Sequence, residues 1–364
     1  MLNVMPMFAV RPFTCQAEAM TTALAYALHR PTGRFEPTEI VRRELGPNDV
    51  AITILFAGIC HSDIHTARQE WGKVTFPLVP GHEIAGIVEA VGSAVTSHAV
   101  GDRVGVGCMV NSCRSCENCL AGHEQYCAKG NVGTYNSKDF DETITQGGYS
   151  TRVVVNAHFV LKIPAGISLD VAAPLLCAGI TMYSPLKRWG TETGKKVAIL
   201  GLGGLGHMGV KIASAMGAEV TILSRTAAKQ ADAAALGATN FSLTDGDSLK
   251  KLRSSFDLIV NTVSATINVE STLSLLRFNG VLANVGVSPE PLSTRFSPLA
   301  QNNRVLAASG IGGINETQEM LDFCAAHGVG STIETISASD IDAAYDRVVA
   351  SDVRYRFVID VSTF

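Results

Sequence analysis

Clustered cysteines are the residues of this 364-residue chain with the clearest capacity for chemistry. Four of the nine cysteines lie within fifteen residues, at Cys113, Cys116, Cys119 and Cys127. Four thiolates complete a tetrahedral zinc site and leave no open position for a substrate. The spacing therefore predicts a structural zinc that holds one loop together, and we call residues 113–127 the cysteine lobe.

Two other readings of the cysteine lobe are less consistent with its residues. An iron–sulfur site can also open with C-x2-C-x2-C, but its fourth cysteine comes sooner and precedes a proline, whereas Ala128 follows Cys127. A zinc ribbon that binds nucleic acid would need surrounding basic residues. The loop offers Arg114 and Lys129 against two glutamates.

A second set of metal-binding residue types is spread along the chain. Cys60 opens the segment CHSDIH (60–65), His82 lies in GHE (81–83), and Cys177 follows at a later junction. Two cysteines and one histidine make a three-ligand zinc site whose fourth position is open to water or substrate. Each residue alone is more typical of a protein core, but their joint occurrence favours a catalytic zinc.

A glycine loop points to a dinucleotide. The segment GLGGLG (201–206) follows the apolar strand KVAIL and opens a helical pattern, which is the context that the G-x-G-x-x-G motif requires. Gly201 permits a tight turn, Gly203 lets the backbone approach a pyrophosphate, and Gly206 lets helix and strand pack closely. The diphosphate would lie at the helix N-terminus. The alternative is a glycine-rich turn without a ligand.

The end of the next predicted strand indicates which dinucleotide is bound. An NAD site places a carboxylate here for the ribose 2′-hydroxyl. This chain instead has Ser224, Arg225 and Thr226, then Lys229, with no carboxylate before Asp232. Two cations and two hydroxyls suit the 2′-phosphate of NADP. An ordinary solvated basic turn is the alternative.

Hydrophobic periodicity divides the chain into two kinds of structure. Residues 21–165 contain short β-rich runs that predict a mostly antiparallel barrel or sandwich, namely 50–59, 84–91, 103–110 and 151–155. After a helical pattern over 170–188, broken or kinked at Pro174 and Pro185, strands and helices alternate as in a doubly wound parallel sheet. The strands are predicted at 196–200, 219–223, 239–241, 257–261, 281–285 and 304–309, and the helices at 204–216, 227–236 and 269–276. The tail from Asn315 onward is expected to rejoin the first domain.

Composition excludes several classes of protein. The chain is 46% hydrophobic and 17% charged, with a net charge of −4, which argues against disorder and against nucleic-acid binding through bulk positive charge. No apolar run is long enough for a membrane helix, and the odd number of cysteines argues against a disulfide framework. Residues 1–21 are read as an N-terminal extension or an upstream start codon, with a mitochondrial presequence as the alternative.

The chain resembles the zinc-dependent medium-chain alcohol dehydrogenases, and within them the cinnamyl alcohol dehydrogenase-like, NADP-dependent branch. The resemblance covers about residues 22–364 and rests on the cysteine lobe and on GICHSDIH (58–65), PGHEIAGIV (80–88), GDRVGVG (101–107), LLCAGIT (175–181), GLGGLGH (201–207) and RYRFVIDV (354–361). It implies an α/β chain with a mostly-β, GroES-like catalytic domain (22–175 and 315–364) and a Rossmann NADP-binding domain (176–314).

The resemblance also implies roles at the catalytic centre. Cys60, His82 and Cys177 would bind the catalytic zinc, with Glu83 as an occasional alternative ligand. Asp63 would orient His82, which fixes the tautomer of a ligating imidazole. Ser62 would hydrogen-bond the substrate oxygen and pass its proton towards His65.

Further residues would bind the cofactor by the same resemblance. His61 would face the diphosphate, while Thr181 and the strand end Asn261–Val263 would line the nicotinamide half. Ser309–Gly312 would close the site. The complete cofactor set is His61, Thr181, Gly201, Gly203, Gly204, Leu205, Gly206, Ser224, Arg225, Thr226, Lys229, Val263, Gly286, Ser309, Gly310 and Ile311.

We therefore expect a zinc-dependent alcohol dehydrogenase or aldehyde reductase with two zinc ions per chain. The segment 130–134 is small where plant lignin-forming relatives carry a bulky aromatic, so broad aromatic and aliphatic specificity is expected, with Trp71 as a candidate pocket wall. Use of NADP favours aldehyde reduction over alcohol oxidation as the direction of the reaction. Alternatives are an NAD-dependent polyol or formaldehyde dehydrogenase and a non-catalytic NADPH-binding sensor. We expect a cytoplasmic homodimer, or a tetramer, with no nucleic-acid or membrane partner.

Overall fold

A computed structural model describes residues 21–288 and 290–364 of the chain. The predicted N-terminal extension, and with it the alternative of a presequence, lies outside the described residues except for Thr21, which begins the first strand. The domain boundaries predicted at 175/176 and 314/315 remain a prediction.

The described residues form seventeen β-strands. In chain order these are β1 (Thr21–Ala27), β2 (Glu36–Arg42), β3 (Asp49–Ile59), β4 (Ile84–Val91), β5 (Arg103–Val106), β6 (Met109–Asn111), β7 (Val132–Gly133), β8 (Arg152–Asn156), β9 (Leu161–Lys162), β10 (Lys196–Leu200), β11 (Glu219–Ser224), β12 (Asn240–Leu243), β13 (Phe256–Asn261), β14 (Leu276–Asn284), β15 (Val305–Ala308), β16 (Ile333–Ile336) and β17 (Arg356–Asp360).

Eleven α-helices connect them within the same described ranges. They are α1 (His61–Ala67), α2 (Glu117–Leu120), α3 (Leu169–Ala172), α4 (Ala178–Arg188), α5 (Gly206–Ala215), α6 (Gln230–Ala235), α7 (Gly246–Lys251), α8 (Val269–Ser274), α9 (Ser297–Ala300), α10 (Ile314–His327) and α11 (Ile341–Val349). Short 3-10 turns lie between them, including Glu124–Tyr126 and Ala173–Leu176.

A mainly antiparallel seven-stranded sheet carries the first half of the chain. Its order is β16-β17-β3-β4-β5-β9, and β8 also pairs with β3. The central strand β3 is buried along most of its length, which explains its nearly continuous apolar sequence. Because β16 and β17 come from the C-terminal tail, the prediction that the tail rejoins the first part of the chain is confirmed.

The second sheet has six strands, all parallel, in the order β12-β11-β10-β13-β14-β15. The chain lays down β10, β11 and β12 towards one edge and then returns to place β13, β14 and β15 towards the other edge. The strand order therefore reverses between β10 and β13, as in a dinucleotide-binding fold. The fold class predicted from the alternating pattern is confirmed. The carboxyl ends of β10, β11 and β13 therefore meet at one edge, where the glycine loop begins.

Several predicted elements have different bounds in the structure, and the differences are instructive at three of them. The run 103–110 is two strands in different sheets, because the chain turns at Gly107, where an added Cβ would lie 2.8 Å from the carbonyl oxygen of Leu176. The helix predicted to end at Leu276 stops at Ser274. The next strand then begins at Leu276, five residues early, because Leu276 pairs with Phe256 across an irregular register.

The region 170–188 is bent where the prolines predicted a break. Pro174 lies in the 3-10 turn Ala173–Leu176, and the segments Leu169–Leu176 and Ala178–Arg188 meet at 56°. Among the described residues, no single helix has the length and apolar character to cross a membrane, and this bent pair passes only when its two segments are combined. Its side chains are largely buried.

Close packing of β3 against β4 generates a stability prediction. A Cβ at Gly86 would lie 2.1 Å from the carbonyl oxygen of Thr53. Replacing Gly86→Ala should lower the free energy of unfolding by about 2–3 kcal/mol through overpacking. Gly166→Ala is the matched control, because its Cβ would meet nothing within 4 Å, and it should change stability by no more than about 0.5 kcal/mol. Equal denaturation midpoints for the two variants would contradict this packing.

Candidate active site and cysteine lobe

Four potential metal ligands converge from three separate elements. Cys60 follows β3 and begins α1, His82 and Glu83 precede β4, and Cys177 lies at the bend before α4. Because β3 and β4 pair antiparallel with Ala57 opposite Ile84, the end of one strand lies beside the start of the other. One ligand atom from each of the four residues lies within 4.8 Å of the others, and all four side chains are buried.

The carboxylate of Asp63 contacts the two chain segments that carry Cys60 and His82. Its carboxylate accepts hydrogen bonds from the backbone N–H of Cys60 at 2.8 Å and of Gly81 at 3.3 Å. His82 Nδ1 lies 3.0 Å from Asp63 Oδ1. A carboxylate only accepts, so His82 carries its proton on Nδ1 and presents the Nε2 lone pair to the thiols. The structure thus places Asp63 against the side of His82 that faces away from the thiols, and its role in orienting a metal ligand stays a prediction.

The spacing of the sulfur and nitrogen atoms fits zinc. The sulfurs of Cys60 and Cys177 lie 3.9 Å apart, and His82 Nε2 lies 3.3 Å from the sulfur of Cys177. Bonds of about 2.3 Å in a tetrahedral site place sulfur ligands roughly 3.8 Å apart. The hydrogen bond from Cys177, together with Arg356 and His82, holds the pKa of the Cys60 thiol well below its usual value despite burial. Cys60 is therefore suited to bind as a thiolate.

Glu83 adds a buried carboxylate that is only partly satisfied. Its Oε1 is ion-paired with Arg356, and its Oε2 has no hydrogen-bond partner in the described part of the chain. Burial raises the pKa of Glu83 to about 8, even though Arg356 acts to lower it. An unpartnered oxygen beside three metal ligands agrees with its expected place near the metal.

The cysteine lobe forms a second compact donor set. The four sulfurs of Cys113, Cys116, Cys119 and Cys127 lie within 4.8 Å of one another. The sulfur of Cys119 is 3.9 Å from that of Cys113 and 3.4 Å from that of Cys116. Hydrogen bonds from the backbone and side chain of Ser115 lower the pKa of Cys113 to about 5. Four thiolate donors at this spacing fit a closed zinc site.

The residues expected to move a proton extend from the metal site towards the surface. Ser62 Oγ lies 3.6 Å from the sulfur of Cys60. The ring of His65 stacks between those of His61, at 4.6 Å, and Trp71, at 4.8 Å. Glu70 forms an ion pair with His65 Nδ1. Trp71, expected as a pocket wall, is half exposed at the outer end of this stack.

The glycine loop has the geometry that its motif predicts. Gly201 has a φ of +96°, and a Cβ on Gly206, the first residue of α5, would lie 2.1 Å from the carbonyl oxygen of Gly201. Nothing lies within 4 Å of a Cβ placed on Gly203, so this face of the loop is open. Leu205 leads directly into α5. The loop therefore presents backbone at a helix N-terminus.

A cavity of about 510 Å³ lies beside this loop at the carboxyl ends of β10 and β11. Six of the predicted cofactor residues line it, namely Gly201, Ser224, Arg225, Thr226, Lys229 and Val263. Lys229 donates a hydrogen bond to the carbonyl oxygen of Leu202 at 2.8 Å, which ties the basic turn to the glycine loop. The guanidinium of Arg225 has no such partner among the described residues.

The other predicted cofactor residues lie outside the wall of that cavity. Thr181 is buried on α4, one turn after Cys177. Gly286 packs on the strand end Asn261–Val263, because its Cβ would lie 2.3 Å from the carbonyl oxygen of Val263. The segment 309–311 follows β15, and Ile311 has a φ of +38°. His61 is exposed at the start of α1.

Arg356 is a functional candidate that the sequence reasoning missed. Its guanidinium is ion-paired with Glu83, and a Cβ on Gly204 would lie 2.8 Å from its Nη1. This cation therefore joins the metal site to the glycine loop. The sequence could have indicated this role, because Arg356 begins the apolar strand RFVID. An arginine that is buried with such a strand requires an acidic partner.

Comparisons with known proteins agree on both halves of the chain. Residues 46–165 match the family described as the alcohol dehydrogenase GroES-like domain, and residues 204–326 match the family described as zinc-binding dehydrogenase. Together the two matches cover most of the chain.

Individual relatives extend this likeness over nearly the whole length. The chain is 56% identical over 344 residues to NADP-dependent alcohol dehydrogenase C of Mycobacterium tuberculosis, covering 94% of this chain and 99% of the relative. It is 56% identical over 331 residues to the probable formaldehyde dehydrogenase AdhA of Bacillus subtilis, covering 91% and 95%. A solved cinnamyl alcohol dehydrogenase from Sorghum bicolor superposes with a TM-score of 0.91 at 42% identity, covering 94% and 98%.

The position of Asp63 behind His82 generates a prediction about metal affinity. Asp63→Asn removes the charge that fixes the His82 tautomer, so zinc should be bound about ten- to a hundredfold more weakly at this site. Competition with a coloured chelator measures the affinity. The control Glu89→Gln makes the same charge change at a half-exposed position on β4 and should retain zinc as the wild type does. Equal zinc retention by the two variants would contradict the role of Asp63.

Proposed function

Because this chain belongs to the zinc-binding alcohol dehydrogenases, in their cinnamyl alcohol dehydrogenase-like branch, we propose that it transfers a hydride between NADP(H) and a primary alcohol or aldehyde. The observation that carries the proposal is the convergence of Cys60, His82 and Cys177 on one point, with Arg356 linking that group to the glycine loop. Reactive centre and dinucleotide site are thus neighbours.

The chain's own residues would hold the catalytic metal. Cys60, Cys177 and His82 would supply the three ligands, and Asp63 would keep His82 Nε2 directed at the metal. Glu83 would remain beside them as an alternative donor, held by Arg356. When bound, zinc supplies a Lewis acid for the substrate oxygen and NADP(H) supplies or accepts the hydride.

Cofactor binding would divide between two elements. The open backbone at Gly203, the N-terminus of α5 and the cation of Arg356 would hold the pyrophosphate. Ser224, Arg225 and Thr226 would hold the 2′-phosphate at the end of β11. Since Lys229 is already bonded to the Leu202 carbonyl, Arg225 would carry most of the discrimination between NADP and NAD.

The substrate oxygen would exchange its proton with protein groups. Ser62 Oγ, beside Cys60, would hydrogen-bond that oxygen. It would pass a proton towards His65 during alcohol oxidation and deliver a proton from the His65 side during aldehyde reduction. His65 Nδ1 contacts the carboxylate of Glu70, which would hold the ring in place at the outer end of this path. We propose that broad aromatic and aliphatic aldehydes are accepted, because the segment 130–134 is small. Use of NADP would favour the direction of reduction.

We also propose two zinc ions per chain, one in each donor set, and a homodimer. Support for a dimer comes from β15, an edge strand of the parallel sheet whose Val305 and Leu306 are 38% and 39% exposed. Phe278 and Phe296 add exposed apolar surface in the same half of the chain. We propose a cytoplasmic location, because six of the eight described cysteines belong to the two donor sets and must stay reduced to bind metal.

The proposal is tested by NADPH oxidation with a panel of aldehydes, formaldehyde included, while zinc is measured by elemental analysis of the same sample. We expect turnover with several aldehydes and two zinc ions per chain. Cys60→Ser should abolish turnover and keep the fold, whereas Cys116→Ser should impair folding, because structural zinc contributes folding free energy. Full activity without zinc, or iron and sulfide in place of zinc, would overturn the proposal.

Cofactor choice provides a separate prediction. We expect NADPH to be preferred to NADH by roughly a hundredfold, because two charge-assisted hydrogen bonds to the 2′-phosphate contribute about 1.5–3 kcal/mol each. The preference should lie in KM, since the phosphate is remote from the hydride and is bound equally in ground and transition states. The double variant Ser224→Asp/Arg225→Gln should remove or invert it.

Steady-state kinetics with both cofactors measure the preference. Arg253→Gln, an exposed arginine of the same half of the chain, is the control and should keep the wild-type ratio. Equal efficiency of NADH and NADPH in the wild type would mean that Arg225 is only a solvated surface residue.

A further inference from the structure

The cysteine lobe packs against the segment that would close the cofactor site. This segment, residues 309–313, leaves β15 and leads into α10, and we call it the closing segment. Three lobe residues meet it or the first turn of α10. The carbonyl oxygen of Gly122 lies against Gly313. The carboxylate of Glu124 contacts the backbone N–H of Ile314, and the hydroxyl of Tyr126 contacts the backbone N–H of Gly310. All three come from five consecutive positions between the third and fourth cysteines of the lobe.

The tightest of these contacts is between two glycines. A Cβ at Gly313 would lie 1.8 Å from the carbonyl oxygen of Gly122, so no larger residue fits at position 313 while the lobe is in place. Gly313 is also the residue that precedes α10, where serine, threonine or aspartate would normally cap the helix. Glycine has no side chain with which to do so.

Glu124 supplies the missing cap from the lobe. Its Oε2 accepts a hydrogen bond from the backbone N–H of Ile314 at 3.1 Å, at the N-terminus of a fourteen-residue helix. Its Oε1 lies 2.8 Å from Nε2 of His158, and Glu124 is only 1% exposed. A carboxylate at this end of a helix is stabilised by the free N–H groups and the helix dipole. His158 fixes the orientation of the carboxylate.

Tyr126 extends the contact into the closing segment itself. Its hydroxyl oxygen accepts a hydrogen bond from the backbone N–H of Gly310 at 3.4 Å. The lobe therefore contacts the chain at both ends of the closing segment. A segment held at both ends has fewer conformations to lose when a ligand orders it, which favours binding.

We propose that the cysteine lobe positions the closing segment for NADP(H), and that Glu124 is the positioning residue through which it does so. The inference rests on the proposed function and on the expectation, implied by the family resemblance, that Ser309–Ile311 contact the cofactor. The lobe then has a second role besides its own stability, since the loop that the four cysteines hold together sets the affinity for the cofactor. Glu124 acts through the backbone of α10 and does not touch the substrate.

The test measures the dissociation constant of NADPH by fluorescence titration of the zinc-loaded enzyme. Glu124→Ala should raise this constant about tenfold, because the cap of α10 is lost. Glu124→Gln should restore binding to within about threefold, since an amide oxygen can still accept from Ile314 N–H. The KM for NADPH should rise in parallel, while kcat at saturating NADPH and the KM for aldehyde change less than about twofold. Glu117→Ala, an exposed carboxylate of the same lobe, is the matched control.

Tyr126→Phe keeps the test decisive if Glu124→Ala does not fold or loses zinc. It removes only a hydroxyl at a side chain that is 46% exposed, and it should raise the dissociation constant about two- to threefold. The inference is overturned if the folded variants bind NADPH as tightly as Glu117→Ala and the wild type do. A wild-type enzyme that binds no NADPH would instead contradict the proposed function.

Discussion

The Asp63 carboxylate joins the two chain segments on which the catalytic centre depends. It accepts the backbone N–H groups of Cys60 and Gly81 and lies against His82 Nδ1, and Tyr149 OH is 3.4 Å from its second oxygen. The side chain is fully buried. A buried charge is tolerated only when its hydrogen bonds are satisfied, so these donors must converge wherever Asp63 lies. The relative position of the ligands at the ends of β3 and β4 follows from that requirement.

Arg356 places a second constraint on the same region. The guanidinium is 5% exposed, lies between Glu83 and the glycine loop, and begins the strand β17 that pairs with β3. The ion pair with Glu83 and the thiolates around it raise the pKa of Arg356 above its ordinary value even though burial opposes this. One cation therefore contacts both the candidate metal site and the glycine loop.

The sequence predicted correctly those features that depend only on residues close together in the chain. The G-x-G-x-x-G turn, the spacing of the cysteine lobe and the strand KVAIL could each be read from neighbouring residues. Joining Cys60, His82 and Cys177 into one site needed their co-occurrence and the family resemblance, because the distances that unite them are set by strand pairing. The double role of Arg356 and the capping of α10 by Glu124 could not be read at all. Both depend on contacts between residues far apart in the chain.

The position of β17 in the sheet has a consequence for the order in which the protein can form. Its Phe357 pairs with Ile59, the residue before Cys60, so β3 can complete its pairing only after a strand about 300 residues further along the chain has been made. The parallel sheet contains only strands that lie between residues 196 and 308, so its formation does not require β17. The sheet around the candidate metal site is therefore completed only after β17 has been made, and the strands of the parallel sheet precede β17 in the chain. A nascent chain that stops short of residue 356 could bind a nucleotide and still have no closed catalytic centre.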